Sequence, residues 1–186
     1  MLLTKAQRWT VLQKACEFAQ PPVVLEVGVL RDLDAAESDG HSTLLFWDWL
    51  IAHPECSYVG IDHAPDAVIL TEGLKHMRYG PQKDRIHVIC GDGRETIEKL
   101  VHSGGLNFLG VVYLDMNNDP EKTLEAFLVL EPALEPRAVV VVDDARELGI
   151  PGVGPRGKAD KLWRVLQARG WVVEFPGDCM MLATRG

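Results

Sequence analysis

The chain has 186 residues, of which 47% are hydrophobic and 25% are charged. This length suffices for one substantial core and is short for two, so we expect a single domain over residues 1–186. The formal net charge of -8 argues against nucleic-acid binding, which depends on Lys and Arg, and favours a small-molecule ligand. The four cysteines form no CxxC pair, and no apolar run is long enough for a signal peptide or a membrane span. We therefore expect reduced thiols in a soluble, cytoplasmic protein.

The first 43 residues predict a helix, a strand, a loop and the start of a second helix. Apolar residues three or four apart indicate an amphipathic helix over residues 4–19, with Thr4 as a candidate cap, that packs on the sheet. The run Val23-Val24-Leu25-Glu26-Val27-Gly28 is typical of a buried strand that ends in a carboxylate and a glycine. Gly40-His41-Ser42-Thr43 then opens a helix that extends to about residue 53.

The middle of the chain repeats this alternation of strand and helix. Further buried strands are predicted at residues 58–62, 86–90, 109–114 and 138–142. Helices are predicted from about residue 63, carrying Val68, Leu70 and Leu74 to the core, from 94 to 102, and from Asp119-Pro120, with Leu124, Phe127, Leu128 and Leu130 on its apolar face. Strands that are apolar on both faces and alternate with helices indicate a parallel sheet covered on both sides.

The last 30 residues depart from this pattern. A helix is predicted over residues 158–169, and strands at 171–175 and 179–184 are joined by a Pro176-Gly177-Asp178 turn. A strand, a turn and a strand form an antiparallel hairpin. The fold class is therefore α/β, a three-layer Rossmann-like sandwich with a mostly parallel seven-stranded sheet and a C-terminal antiparallel hairpin.

Ligands of open parallel sheets bind beyond the carboxyl ends of the strands. Six residues are predicted to lie at that edge: Gly28, Asp62, Asp92, Asp115, Asp143 and Asp144. Their shared position makes this edge the candidate site.

These motifs, taken together, resemble those of class I S-adenosylmethionine-dependent methyltransferases. The resemblance rests on Leu25-Glu26-Val27-Gly28, Gly40-His41-Ser42-Thr43, Gly60-Ile61-Asp62, Cys90-Gly91-Asp92-Gly93 and Tyr113-Leu114-Asp115, with the terminal hairpin. It implies that the loop between Gly28 and Ser42 holds the methionine moiety of S-adenosylmethionine. It also implies that Asp62 accepts both ribose hydroxyls and that Asp92 lies near the adenine. The candidate cofactor-binding residues are Glu26, Gly28, Gly40, Ser42, Asp62, His63, Asp92, Gly93 and Asp115.

One departure from this family lies in the loop after the first strand. About ten residues, 30–39, replace a compact glycine-rich turn, and four of them are acidic. The insertion could form a lid over the cofactor or could alter its pocket. A dinucleotide-binding Rossmann domain also ends its second strand in an acid. Its GxGxxG motif is missing from this sequence, however, and the terminal hairpin does not suit that fold.

The acids after the fourth and fifth strands resemble those of the metal-dependent catechol and caffeoyl-type O-methyltransferases. This resemblance implies that Asp115, Asp143 and Asp144 hold a divalent cation such as Mg²⁺ or Ca²⁺. Two departures stand against it, because Asp144 occupies the place of an amide and Asn118 that of a lysine base. Asp115 and His41 are the candidate catalytic residues.

Structural interpretations stand beside these functional ones. Asp62 and Asp92 could simply end strands or cap helices, without a role in binding. Glu26 could likewise make a structural hydrogen bond to a loop amide. His41 and His63 could be polar loop residues. The basic run Arg156, Lys158, Lys161, Arg164 and Arg169 is interpreted most simply as a solvated helix face, and the alternative is a surface for an anionic substrate or an acidic partner.

The leading functional hypothesis is methyl transfer from S-adenosylmethionine to a small-molecule acceptor, at an oxygen. The alternative is a non-catalytic binding or scaffold protein with this fold and an altered cofactor loop. An enzyme of the same fold that transfers an aminopropyl group or hydroxylates its substrate is a third alternative. Neither a nucleic acid nor a membrane is expected as partner, and a homodimer could complete the acceptor site.

Overall fold

A seven-stranded sheet lies between two layers of helices. The computed structural model describes residues 5–32, 41–116, 119–145, 157–177 and 180–185. The strands are β1 (Val23–Val27), β2 (Ser57–Asp62), β3 (Ile86–Cys90), β4 (Leu109–Leu114), β5 (Leu134–Val142), β6 (Val172–Glu174) and β7 (Met181–Thr184). The helices are α1 (Lys5–Ala19), α2 (His41–Ala52), α3 (Pro65–Arg78), α4 (Gly93–His102), α5 (Pro120–Leu130) and α6 (Leu162–Ala168).

The order of strands in the sheet is β3-β2-β1-β4-β5-β7-β6. The first five strands pair in parallel, whereas β7 is antiparallel to both β5 and β6. The order reverses between β1 and β4, which is the position where open α/β sheets bind ligands. The predicted fold class, with its C-terminal antiparallel strands, is confirmed.

Two hydrophobic cores fill the two faces of the sheet. On one face, α1, α2 and α3 pack through residues such as Leu12, Phe46 and Leu74. On the other, α4, α5 and α6 pack through Ile97, Phe127 and Leu162. Strands β1, β2, β4 and β5 are therefore buried on both faces, as their continuous apolar runs predict.

Aspartate side chains begin two of the helices that follow strands. The Asp92 carboxylate accepts a hydrogen bond from the Glu95 amide at 3.1 Å and caps α4. Asp119 accepts one from the Glu121 amide at 3.0 Å and caps α5, whose first residue is Pro120. Both caps satisfy amides that have no partner within the helix.

Some predicted elements differ in burial or extent. Strand β3 is an edge strand in which only Ile86 is buried, so the prediction of a third buried strand is wrong. Leu128 is 42% exposed, and Thr123 and Ala126 take inward positions of α5 instead. Helix α6 begins at Leu162 rather than at 158, because residues 157–161 form turns.

A few predictions fall outside the described residues, and others concern the state of the cysteines and the presence of membrane-spanning helices. Thr4, the 178–179 part of the terminal turn and most of the 30–39 loop are outside the described part. Within that part, Cys16, Cys56 and Cys90 are free cysteines. None of the helices described has the length and apolar character needed to cross a membrane.

Candidate functional site

A cleft of about 440 Å³ opens at the carboxyl ends of the parallel strands. This volume lies within the range of small-molecule sites. Twelve of the described residues line it: Val27, Gly28, Arg31, Ile61, Asp62, His63, Asp92, Gly93, Asp115, Met116, Asp144 and Lys158. Four of the twelve are aspartates, which come from the ends of β2, β3, β4 and β5.

Gly28 turns the chain out of β1 at the floor of the cleft. Its φ is +93°, in the left-handed region that favours glycine. A Cβ atom there would lie 2.6 Å from the Asp115 carbonyl oxygen, so no larger residue fits between β1 and β4. The Gly28 amide donates to the Ile61 carbonyl at 2.8 Å and the Asp115 amide to Val27 at 2.8 Å. These bonds hold the three strand ends in register.

Asp62 lies at the end of β2 with both carboxylate oxygens engaged. Its Oδ1 accepts from the Ala64 amide at 2.9 Å, and its Oδ2 from the Val29 amide at 3.1 Å. Arg31 Nε lies 3.4 Å from Oδ2, and this arginine side chain is half exposed, whereas that of Asp62 is fully buried. Arg31 is thus a solvent-exposed partner that covers this carboxylate at Oδ2.

His63, Asp92 and Gly93 complete the β2–β3 side of the cleft. The His63 side chain is exposed and its Nδ1 lies 3.4 Å from Asp62 Oδ1. Asp92 both caps α4 and lines the cleft, so its structural and functional interpretations are compatible. A Cβ atom on Gly93 would lie 2.7 Å from Val27 Cγ1, which shows how closely α4 approaches β1.

Glu26 lies behind the cleft rather than in it. Its Oε2 accepts hydrogen bonds from Thr43 Oγ1 at 2.8 Å and from the Tyr58 hydroxyl. Burial raises the pKa of Glu26 to about 7, against the opposing effect of the Ser42, Tyr58 and Thr43 hydroxyls. The buried Oε1 has no hydrogen-bond partner among the described residues. The described contacts of Glu26 therefore join β1 to β2 and α2.

Lys158 reaches the cleft from the turn before α6. Its ammonium contacts Asp115 Oδ1 and lies 3.3 Å from Asp144 Oδ2, and the residue is 3% exposed. Burial raises the pKa of Asp115, although the neighbouring Lys158 ammonium lowers it. Asp115, Asp144 and Lys158 thus form one cluster of charges at the β4–β5 side.

Asp143 is turned away from this cluster. Its Oδ2 accepts from Arg8 Nη1 at 2.7 Å and from the Tyr113 hydroxyl at 2.8 Å, and its Oδ1 accepts from the Asp144 amide at 3.0 Å. The side chain is 8% exposed and is not one of the cleft-lining groups in the described part of the chain. Asp143 therefore links β5 to β4 and α1.

The structure brings together most of the predicted site residues. Those that line the cleft are Gly28, Asp62, His63, Asp92, Gly93, Asp115 and Asp144. Those placed outside its lining are Glu26, Ser42 and Asp143. Gly40 and Asn118 are outside the described residues, and of His41 only the backbone, at the start of α2, is described.

Two cations of the cleft are absent from the sequence-based predictions. Lys158 is buried, so its assignment to a solvated helix face is wrong. The sequence places it in a run of basic residues, and nothing in that run distinguishes it from its neighbours. Arg31 lies next to an acidic loop and carries no motif. Its contact with Asp62 arises from the turn at Gly28, which brings residues 28–32 back over β2.

The solved structures with a similar fold include proteins named as methyltransferases. A protein from Staphylococcus aureus classed as a caffeoyl-CoA O-methyltransferase is 12% identical with a TM-score of 0.71, and the match covers 100% of this chain and 86% of that one. CalS11, a TDP-rhamnose 3'-O-methyltransferase, is 18% identical with a TM-score of 0.71, over 98% of this chain and 80% of that one. MycE in complex with Mg, SAH and mycinamycin VI is 19% identical with a TM-score of 0.61, over 95% of this chain and 48% of MycE.

The family assignment comes from a match in sequence. No curated protein matches this chain. The family model described as a methyltransferase domain matches residues 37–145, more than half of the chain, and extends from the start of α2 to the end of β5. The resemblance predicted from the motifs at the strand ends is thereby confirmed. The chain belongs to the methyltransferase domain family.

Proposed function

We propose that this protein transfers the methyl group of S-adenosylmethionine to an oxygen atom of a small-molecule acceptor. The observation that carries the proposal is the cleft at the β1–β4 switch point, lined by four aspartates from successive strand ends. Membership of the methyltransferase domain family and the likeness to O-methyltransferase structures support it. Carboxylates are hydrogen-bond acceptors, and S-adenosylmethionine carries hydroxyl, amino and ammonium donors.

The residues of the β1–β2 side suit this cofactor. Asp62 would accept the ribose hydroxyls, with one of them taking the position of the exposed Arg31 at Oδ2. Asp92 would lie near the adenine, and the glycine turn at Gly28 lets a ligand approach the backbone. Glu26 Oε1, which has no hydrogen-bond partner among the described residues, is a further candidate acceptor. Gly40, Ser42, His63 and Gly93 stay predicted cofactor contacts.

The residues of the β4–β5 side suit an acceptor hydroxyl. When bound, S-adenosylmethionine supplies an electrophilic methyl group on a sulfonium. In the proposed step an acceptor oxygen forms a bond to the methyl carbon while the carbon–sulfur bond breaks and its electron pair goes to sulfur. Asp115 is the proposed acceptor of the hydroxyl proton, because its carboxylate lines the cleft and is partly exposed. His41 stays a predicted catalytic residue.

A divalent metal fits the described carboxylates less well. Asp115 and Asp144 face Lys158, and Asp143 faces Arg8 and Tyr113. No group of three or more His, Cys, Asp or Glu side chains in the described ranges is placed to hold a metal ion. We therefore include no metal in the proposed reaction, and the set Asp115, Asp143 and Asp144 stays a prediction.

Three further parts of the proposal concern the class of acceptor, the location in the cell and the oligomeric state. The structural neighbours CalS11 and MycE carry names that refer to TDP-rhamnose and mycinamycin, which supports a small-molecule acceptor here. A cytoplasmic location agrees with the three cysteines in the described part of the chain, which are free. A homodimer that completes the acceptor site stays a prediction.

Isothermal titration calorimetry with S-adenosylhomocysteine tests the cofactor claim. We expect one site per chain with a dissociation constant in the micromolar range. Inosine, which is adenosine with its exocyclic amine replaced by an oxygen, should bind only weakly. Incubation with methyl-labelled S-adenosylmethionine and a panel of hydroxyl compounds then identifies the acceptor by mass spectrometry.

The same titration discriminates against the alternative of a binding or scaffold protein. Absence of S-adenosylhomocysteine binding up to millimolar concentration would contradict our proposal and favour that alternative. Transfer of an aminopropyl group, which requires decarboxylated S-adenosylmethionine as the donor, would overturn the assignment as a methyltransferase.

A further inference from the structure

Lys158 is a buried lysine at the centre of the acceptor half of the cleft. Its side chain is 4% exposed, and its ammonium is placed between the carboxylates of Asp115 and Asp144. A charged ammonium is buried only where anions compensate for its lost hydration. Its two partners are residues that the family resemblance predicts as metal ligands.

The backbone fixes Lys158 in this position. The Lys158 amide donates to the Asp144 carbonyl at 3.2 Å, so the chain returns directly onto the end of β5. Gly157 makes this return possible, because a Cβ atom there would lie 2.3 Å from the Asp144 carbonyl oxygen. Asp144 itself has a φ of +46°, a left-handed conformation that aspartate tolerates better than most residues. The ammonium position is thus built by the turns on both sides of it.

The third predicted metal ligand is held elsewhere by a second cation of the chain. Arg8 of α1 and the Tyr113 hydroxyl both donate to Asp143 Oδ2, and the Asp144 amide donates to Oδ1. Both oxygens of Asp143 are therefore occupied on the side of the sheet that faces α1. Of the three predicted metal ligands, Asp115 and Asp144 remain at the cleft, and one ammonium already contacts both.

We propose that the Lys158 ammonium is the resident cation of the acceptor site and takes the place of a divalent metal ion. Mg²⁺ and Ca²⁺ take six or more oxygen ligands, water included, and an ammonium between two carboxylates competes with them for the same position. An ammonium has three N–H groups, and the described residues give it two carboxylate partners, Asp115 and Asp144, which leaves one N–H group for a ligand. That group can donate to an acceptor oxygen and favour negative charge on it, as oriented cationic donors do.

The role of Lys158 in methyl transfer rests on the proposed function, whereas the exclusion of a divalent ion by Lys158 does not. The first is measured with cofactor and acceptor, and the second is measured on the protein alone. Failure of one is therefore distinguishable from failure of the other.

Mn²⁺ binding, followed by electron paramagnetic resonance, tests the exclusion of a metal. We expect that the wild type binds no Mn²⁺ at a single site up to high micromolar concentration. Lys158→Ala leaves Asp115 and Asp144 without their shared cation, so its affinity for Mn²⁺ should rise by about tenfold or more. Lys161→Ala is the matched control, because this exposed lysine pairs with Glu121 on the surface and its loss should leave Mn²⁺ affinity unchanged.

Mn²⁺ binding by the wild type tests the exclusion of a metal ion even if Lys158→Ala folds poorly. Lys158→Met, whose side chain has a similar length, is a second variant. One tight Mn²⁺ site in the wild type that Asp115→Asn abolishes would overturn the proposal. Equal Mn²⁺ affinity in the wild type and a folded Lys158→Ala variant would also overturn it. Once an acceptor is known, methyl transfer should persist in EDTA and fall in Lys158→Ala. Loss of transfer in EDTA with recovery on Mg²⁺ addition would contradict the role of Lys158 as the site's cation.

Discussion

On the β1–β2 side of the cleft, carboxylates accept hydrogen bonds mainly from backbone amides, whereas on the β4–β5 side they face the cationic side chains of Arg8 and Lys158. Asp62 accepts from Val29 and Ala64, and Asp92 accepts from Glu95. Asp143 and Asp115 face Arg8 and Lys158, which are 135 and 43 residues away along the chain.

This difference separates two kinds of binding site. Amides oriented by strand ends and helix starts leave a carboxylate its negative charge, so it can still accept donors from a ligand. A carboxylate paired with Arg or Lys is already compensated and becomes part of the structure or of a charge pair. We therefore expect the β1–β2 side to respond to mutation through cofactor affinity and the β4–β5 side through stability and cation binding.

Glu26→Gln tests whether the buried carboxyl behind the β1–β2 side belongs to the core. Its folded-state pKa of about 7 exceeds the ordinary value of 4.5, so the folded protein binds the proton more tightly than the unfolded chain does. Its contribution to stability is full below pH 4.5 and is lost as the pH rises through 7. The wild type should lose about 3 kcal/mol between pH 4.5 and pH 8 relative to Glu26→Gln, which lacks the titration.

Urea unfolding of both proteins across this pH range measures the difference. Subtraction of the two profiles removes the contribution of the histidines and the other carboxyls. Parallel profiles would contradict the prediction and would indicate that Glu26 titrates at its ordinary pKa. A difference that disappears when S-adenosylhomocysteine is present would instead indicate that the ligand reaches Oε1.

Asp62→Asn tests the β1–β2 side as the cofactor half. Asparagine keeps one acceptor oxygen but loses the charge and the second acceptor, and each hydrogen bond to a charged group contributes about 1.5–3 kcal/mol. We expect the dissociation constant of S-adenosylhomocysteine to rise about 100-fold. Asp66→Asn is the control, since this aspartate lies in the first turn of α3 and is absent from the cleft lining. Equal affinity in both variants would remove Asp62 from the cofactor site.

The sequence predicted the elements and the strand-end acids because these follow from local patterns. Apolar runs identify β1, β2, β4 and β5, and the acids at their carboxyl ends share one edge once the sheet is parallel. The edge position of β3 was not predictable, since a short apolar run does not reveal whether another strand lies beside it.

The cations of the site could not be predicted for a related reason. Lys158 and Lys161 are three residues apart and equally basic, yet the first is buried and the second is exposed. The difference arises from the close approach of Gly157 to Asp144, a contact between the turn before α6 and the end of β5. Pairings between distant segments decide which carboxylates keep a free oxygen, and local patterns carry no information on them.

Gly157→Ala tests whether the β4–β5 side depends on that approach. The added Cβ would lie 2.3 Å from the Asp144 carbonyl oxygen and 2.8 Å from the Ala145 carbonyl carbon, so the turn must move. We expect a loss of about 2 kcal/mol in the free energy of unfolding, as for overpacked sites. Gly73→Ala is the control. Gly73 is an exposed residue of α3 where a Cβ would meet no atom within 4 Å, so the higher helix propensity of alanine should stabilise this variant. Equal stability of Gly157→Ala and the wild type would show that the turn relaxes freely.

Arg8→Met has the smallest expected effect and separates the structural acid Asp143 from the cleft. The methionine keeps the packing of the arginine stem, while Asp143 retains the hydrogen bonds from Tyr113 and the Asp144 amide. Because the Arg8 side chain is 30% exposed, we expect a loss of only about 1 kcal/mol in the free energy of unfolding. Lys14→Met on the exposed face of α1 is the control, and its free energy of unfolding should change little.

The affinity for S-adenosylhomocysteine should stay constant in both variants, because Asp143 faces α1. A drop in that affinity in Arg8→Met alone would show that the orientation of Asp143 controls the cleft, and the two sides would then not be independent.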